Sequence, residues 1–315
     1  MKICAFGELL IDVAPYGVSD RHFPVYEFNP GGAPANVAVA VSNLGYGSSF
    51  IGQVGNDYFG LFLKQTLDDK KVDTEGLLLS NQYPTSLAIV SLSDQGERSF
   101  SFYRKHNADV MIEMKDVFKR KIDECDLFHI GSVSMTDEPA RQTSFDLLQY
   151  AKDHHKVISY DPNLRKLLWN SLDEAKSIML KGLEFADIVK LSEEELTFLT
   201  GLEDYEKACV ELSKSYPFKI LFITFGSKGC AYFYQGKYQM IESYKVNSID
   251  TTGAGDGFFG GVLVKLMEQN LNLSNLTHLE DVCRYGNACG AHATTQKGAI
   301  GSLAYPEDVQ KYIGE

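Results

Sequence analysis

Apolar residues run along this chain with two periods, and the places where one period gives way to the other mark out its elements. Residues 3–13 are almost continuously apolar, the pattern of a strand buried on both faces. Residues 34–44 form a short apolar helix, with Pro34 suited to its first position and Gly45 to its stop. A second strand at 49–54 and a helix at 57–68 follow, so strand and helix alternate from the start. The alternation resumes with a helix at 137–155, a strand at 156–161, a helix at 172–186, a strand at 186–191 and a helix begun by Ser192. A further strand opens at Ile220, antiparallel strands run through about residue 249, and two helices complete the chain. Such alternation predicts a mostly parallel sheet with helices packed on it.

Residues 86–104 break the pattern. The apolar stretch 87–92, the polar turn Ser93-Asp94-Gln95-Gly96-Glu97 and the aromatic–polar alternation of 98–104 read as a β-hairpin. With residues from about 14 to 30 it predicts a small separate sheet, a lid over a cleft. An edge hairpin of the main sheet is the alternative.

The chemistry concentrates at 250–261. Gly253, Ala254 and Gly255 leave the backbone bare before Asp256, and Phe259, Val262, Leu263, Leu266 and Met267 then mark one face of a helix. Free amides and the positive dipole end of that helix would face the glycine loop, a place for phosphate or developing negative charge. Asp256 could cap the helix or take a proton from an attacking hydroxyl. A dinucleotide fingerprint fails because Phe258 stands where its third glycine is needed, and no P-loop motif occurs.

Other polar residues interrupt apolar segments. Asp12 closes the first strand, where it either caps a turn or faces a cleft at the sheet's carboxyl edge. Gly31 and Gly32 permit close ligand approach, and Asn36 is polar within an apolar helix. Asp161, Asn163 and Arg165 follow a strand stopped by Pro162. Ser192 and Glu195 have the spacing of a capping box, a structural role that competes with any functional one for Glu195.

Composition narrows the class. The 315 residues are 44% hydrophobic and 23% charged, ordinary for a globular protein, and suffice for one large α/β domain or two smaller ones. A net charge of −12 without a basic cluster argues against nucleic acid and anionic membrane as partners. Six cysteines without a C-x-x-C pair read as reduced, buried thiols. The first residues meet Glu8 and Asp12 too soon for a signal peptide, and no apolar run approaches the ~18 residues that span a bilayer. A cytoplasmic protein is the expectation.

Asp-Thr-Thr-Gly-Ala-Gly-Asp at 250–256 followed by Phe-x-Gly-Gly, together with Gly31-Gly32-Ala33-Pro34-Ala35-Asn36 through Gly45 and Gly52-x-x-Gly55, resembles the two signatures of the ribokinase-like (PfkB) sugar kinases. The resemblance implies an α/β fold, a three-layer α/β/α sandwich with a mostly parallel central sheet plus a small β-sheet lid. It implies one kinase domain over 1–315, with the lid inserted at about 14–30 and 86–104. By the same resemblance Asp256 is the catalytic base and Gly253, Ala254 and Gly255 are the anion hole. Asp12, Gly31, Gly32 and Asn36, with Tyr103, Arg104, Asp161 and Arg165, fall at substrate positions. Lys190, Thr224, Gly226, Gly229 and Asn287 fall at nucleotide positions. ATP and Mg²⁺ are the implied cofactors, with the metal held through water near Glu195. Asp250, Thr252, Ala293, Gln296, Gly298 and Ser302 fall where some relatives hold potassium. One departure stands out: the family's metal-assisting Asn-x-x-Glu begins here with Ser192.

The segments 102–109 and 161–169 resemble those of the family's fructokinases, and the second is shared with 2-keto-3-deoxygluconate kinases. The expected reaction is therefore phosphorylation of a ketose, fructose first, with the keto acid as the alternative and a non-catalytic sugar or nucleotide sensor as the reading from another class. The apolar face of strand 98–104 suggests a homodimer formed through the lid.

Overall fold

The structure, a computed structural model, describes residues 1–92 and 98–314; the expected hairpin turn at 93–97 lies outside the described residues. Its strands in chain order are β1 (Lys2–Phe6), β2 (Leu10–Val18), β3 (Pro24–Gly31), β4 (Gly47–Gly55), β5 (Leu77–Ser80), β6 (Leu87–Leu92), β7 (Arg98–Tyr103), β8 (Leu127–Gly131), β9 (Val157–Asp161), β10 (Ile188–Ser192), β11 (Ile220–Thr224), β12 (Gly229–Tyr234) and β13 (Lys237–Glu242). Nine form one sheet in the order β13-β12-β11-β10-β9-β8-β1-β4-β5. It is parallel from β11 to β5, and only β12 and β13 run antiparallel at its edge. The other four form a separate sheet, β3-β2-β6-β7, as the alternation of 98–104 predicts.

Side chains alternate across the pleat and so divide the core into two layers. On β10 and β11, Val189, Leu191, Leu221 and Ile223 pack against the helices Ala140–Asp153, Leu172–Leu183, Glu193–Thr200 and Tyr205–Ser215. Ile188, Ile220 and Phe222 point the other way, into the cluster of helices Ala33–Asn43, Ala254–Glu268 and Leu279–Ala293. Close helix packing explains two of the glycines after Asp256: a Cβ on Gly260 would stand 2.5 Å from Ala40 Cβ, and one on Gly261 2.7 Å from Cys289 Sγ.

The apolar run 3–13 is two strands, not one. β1 ends at Phe6, and β2 leaves the main sheet for the lid after Gly7-Glu8-Leu9. Leu9, Leu10 and Ile11 are as buried as the residues of β1, so Gly7 and the single charge of Glu8 are all that mark the break. The consequence is functional: Glu8 occupies the carboxyl end of β1, and Asp12 sits on a lid strand. The antiparallel strands stop at Glu242, well short of residue 249, and a third terminal helix, Pro306–Ile313, follows the two expected.

The ends of β1, β8, β9, β10 and β11 lie along one edge. The chain order turns back between β8 and β1, the crevice where open α/β sheets take ligands. The N-terminus of helix Ala254–Glu268 opens there.

Candidate active site

Gly253 makes that helix start possible. Its φ of +78° is left-handed, and a Cβ would come within 3.0 Å of Ala299 Cα and Cβ. No side chain caps the helix. The Ala254 amide turns back to donate to the Thr251 carbonyl at 3.2 Å, so Ala254 helps close the turn. Asp256, 7% exposed in the first turn, accepts from Asn36 Nδ2 at 2.8 Å. Burial raises its pKa, opposed by the charge of Lys190, the Asn36 bond and Arg165. Asn36 thus holds the aspartate directly, and its buried Oδ1 has no partner among the described residues.

Two cavities meet at this loop. The first, of 440 Å³, is ringed by Glu8, Asp12, Asn36, Arg165, Lys190 and Asp256, with Gly32, Thr251, Thr252, Gly253 and Gly255. Gly31 is glycine for a local reason: a Cβ would lie 2.3 Å from Asp12 Oδ2. Burial lifts Asp12 to about 6; Arg165 works against this, while Asp250 and Asp256 add to it. Glu8 is lifted by burial to about 7, although the Ala33 amide donates to its Oε1 at 2.9 Å. Sequence reasoning passed over Glu8 because it reads there as one charge in an apolar run.

Three residues expected on the substrate side, Tyr103, Arg104 and Asp161, do not line this cavity. Tyr103 is 60% exposed and does not line this cavity, whereas its neighbour Phe102 does. The Arg104 guanidinium is buried and engaged three ways: with Asp109 Oδ2 at 2.5 Å, Thr136 Oγ1 at 2.8 Å and the Val133 carbonyl at 3.1 Å. It braces the lid's last strand against the main sheet. Asp161 stands behind the wall, its Oδ2 bound by Lys190 Nζ at 2.7 Å.

The second cavity, of 590 Å³, is lined by Thr224, Gly226, Gly229, Asn287 and the irregular segment 243–248, and closes against Ala254 and Gly255. Thr251 and Gly255 line both cavities. Gly226 and Gly229 hold positive φ, and a Cβ on Gly229 would strike the Ile241 carbonyl at 2.1 Å. The Asn287 amide donates to the Ile241 and Glu242 carbonyls and so fastens the edge of this cavity. Lys190, expected here, lines the charged cavity instead.

A smaller recess of 200 Å³ holds Asn163, Arg165, Lys190, Ser192, Glu194 and Glu195. The capping box forms: Ser192 Oγ accepts from the Glu195 amide at 3.1 Å, and Glu195 Oε2 accepts from the Ser192 amide at 2.8 Å. Glu195 Oε1 also accepts from Leu164 at 2.6 Å. Each oxygen keeps a lone pair for water. No group of three or more His, Cys, Asp or Glu able to hold a metal occurs among the described residues. Asp250 ties the potassium-type residues together. It accepts from Thr252 N and Oγ1 and from the Gly298 amide, while Ser302 donates to the Gly298 carbonyl. Ala293 ends the preceding helix and Gln296 is exposed.

Known proteins share this sequence pattern and fold. The model of the pfkB family carbohydrate kinases matches residues 1–305. Fructokinase-1 of Oryza sativa subsp. japonica is 41% identical over 99% of this chain and 97% of its own length. The fructokinase of Xylella fastidiosa, solved with bound ATP, is similar at a TM-score of 0.91 and 31% identity, covering 99% of this chain and 98% of that one. A Vibrio cholerae O395 fructokinase double mutant, solved with fructose, ADP and potassium bound, has a TM-score of 0.88 and 35% identity over 99% and 97% of the chains.

Proposed function

The chain belongs to the pfkB family of carbohydrate kinases, and from that premise we propose that it transfers the terminal phosphoryl group of ATP to the primary hydroxyl of fructose, forming fructose 6-phosphate. The observation that carries this reading is the meeting of a charged cavity and a glycine-lined cavity at one uncapped helix start, with Asp256 beside Gly255. Sugar fills the first cavity, where Asp12, Asn36 and Arg165 supply hydrogen-bond partners. ATP fills the second, with its terminal phosphate against the loop 253–256. The kinship with fructokinases solved with fructose, ADP and ATP supports both assignments.

Phosphoryl transfer depends on positioning and charge neutralisation more than on covalent help. Asp256, held by Asn36, accepts the proton of the attacking hydroxyl. The Gly255 end of the helix faces the developing negative charge. Mg²⁺, when bound on the ATP phosphates through water near Glu195, supplies further charge neutralisation. The loops 250–252 and 293–302 present oxygen atoms of the kind a potassium ion takes, and the potassium-bound Vibrio relative supports that site. The lid, inserted in a single kinase domain, excludes water that would otherwise hydrolyse ATP.

Fructose is preferred over 2-keto-3-deoxygluconate because a carboxylate needs cationic partners. Arg104, one of the two arginines expected to serve it, is already consumed by Asp109, Thr136 and Val133. An assay of ADP release over a sugar panel tests the reading. The highest kcat/KM is expected with fructose. Preference for the keto acid or ribose overturns the substrate, and no ADP with any sugar overturns the kinase.

The outer lid face exposes Tyr16, Val18, Phe23, Tyr26 and Phe28, an apolar patch suited to a second copy. Light scattering should report a dimer; a monomer at micromolar concentration sinks this assembly. Among the described residues no helix is long and apolar enough to cross a membrane, and all six cysteines are buried and unpaired. Both fit a cytoplasmic protein, which fractionation of cells would check.

A further inference from the structure

Asn163 has no part in the reaction as derived above, yet it lines both the charged cavity and the recess that holds Glu195. It stands two residues past the end of β9, in the left-handed conformation with a φ of +51°. Both of its neighbours are fastened to other elements. The Pro162 carbonyl accepts from the Ser132 amide at 3.0 Å and from Ser132 Oγ at 2.5 Å. The Leu164 amide donates to Glu195 Oε1 at 2.6 Å. The residue between them is therefore held in place, half-buried. Its own carboxamide has no hydrogen-bond partner among the described residues.

Backbone conformation alone does not ask for asparagine here. Asparagine tolerates positive φ better than most residues. However, His22, Lys71, Gln235 and Leu271 hold the same conformation elsewhere in the chain. The recess supplies a chemical reason instead. A hydrated divalent ion turns its water hydrogens outward, toward oxygen acceptors. Glu195 already gives one lone pair of Oε1 to Leu164 and one of Oε2 to Ser192. Ser192 Oγ faces the Glu195 amide as the helix cap. At 192, where the resemblance expects an asparagine, the recess is thus one carboxamide short, and Asn163 brings one from the end of the neighbouring strand β9. A neutral oxygen also suits the place, because a further carboxylate beside Glu194 and Glu195 would repel the phosphates.

We propose that Asn163 is a positioning residue for magnesium carried on the nucleotide phosphates: its carboxamide oxygen accepts from water of the hydrated ion, next to Glu195, in place of the amide that Ser192 lacks. The inference rests on the kinase reading. The contact exists only when the metal accompanies the nucleotide, so it acts on the extra affinity that the metal confers.

Calorimetry with ADP, with and without Mg²⁺, measures that gain, and melting temperature and both KM values accompany it. Glycine satisfies the backbone at 163, so Asn163→Gly should melt close to the wild type. Its affinity for ADP alone should be unchanged, and the gain from Mg²⁺ should fall roughly 10-fold. Asparagine caps a helix as well as serine does, so the double variant Asn163→Gly/Ser192→Asn should recover most of the gain. Asn163→Asp keeps an acceptor and adds a charge. It should bind ADP alone several-fold more weakly and gain more from Mg²⁺ than the wild type does. If Asn163→Gly melts early, Asn163→Asp decides, because a merely structural asparagine would leave both affinities of that variant as they are. An undiminished gain in a folded Asn163→Gly overturns the proposal, as does a loss that Ser192→Asn fails to recover. A raised KM for fructose with the gain intact assigns Asn163 to the sugar and overturns it too. A wild type whose ADP affinity ignores Mg²⁺ overturns it while the kinase reading stands, provided that some sugar elicits ADP release from ATP. A wild type that releases no ADP with any sugar fails the kinase reading itself.

Discussion

The two cavities that meet at Gly255 are built from opposite materials. The charged cavity draws side chains from residues 8, 12, 36, 165, 190 and 256, brought together across the whole chain. The glycine-lined cavity draws mostly small residues and backbone from four local stretches, near 224–229, 243–248, 251–258 and 287–294. A sugar differs from its rivals by where its hydroxyls point, so recognising it takes directed donors and acceptors on several sides. A nucleotide is a long, common shape that backbone and close approach can hold. Changes in the first cavity should therefore alter rate and sugar choice, and changes in the second should alter nucleotide affinity.

The largest effect should come from Asp256→Asn, which keeps shape and removes the proposed proton acceptor. Turnover should fall ~10²–10⁴-fold with ATP binding by calorimetry unchanged. A mild loss would return Asp256 to the role of a first-turn acidic residue, and the two cavities would then lack their shared chemistry.

Gly226→Ala tests the other side and should do less. The position has φ +54°, and a Cβ there meets nothing within 4 Å, so the cost is backbone strain of about 1–2 kcal/mol and a methyl group standing in the cavity. KM for ATP should rise several-fold while kcat at saturating ATP and KM for fructose stay put. A fall in kcat instead would show that the glycine-lined cavity takes part in the chemical step, which blurs the division.

Legibility followed the same division. The helix start at 253–256 and the glycines at 31, 32, 226 and 229 were readable because backbone conformation and close approach leave little choice of residue. Buried side-chain pairs were not. Arg104 lies five residues from Asp109, yet nothing local says that its remaining donors go to Val133 and Thr136 on another element. Lys190 belongs to the charged cavity only because β9 and β10 are neighbours and place it against Asp161. Glu8 was passed over, and Asp12 was put on the wrong strand, through one error, the reading of 3–13 as a single strand, since burial on both sides of the break conceals it. Segment 243–248 lacks periodicity and offered no signal for the cavity wall it forms.

The smallest effect concerns Asp12, and its sign is the informative part. Its carboxyl is lifted from the ordinary value of 3.8 to about 6, chiefly by burial. Between those values the folded protein binds the proton more tightly than the unfolded chain does. The stabilisation is complete below about 4 and is lost as pH rises through about 6. Asp12→Asn cannot titrate, so subtracting its unfolding free energy from that of the wild type cancels every other group and isolates this one. The difference should shift against the wild type by roughly 1–3 kcal/mol between pH 4 and 7, nearer the low end because Asp12 is partly open to solvent. Ionised Asp12 is the form that accepts from sugar hydroxyls, so saturating fructose should bring back part of the stability lost at pH 7 in the wild type. Denaturant titrations at several pH values, with and without fructose, measure both. Parallel curves for the two proteins would mean that Asp12 is solvated in the free enzyme, and the charged cavity would then be wetter than its walls suggest.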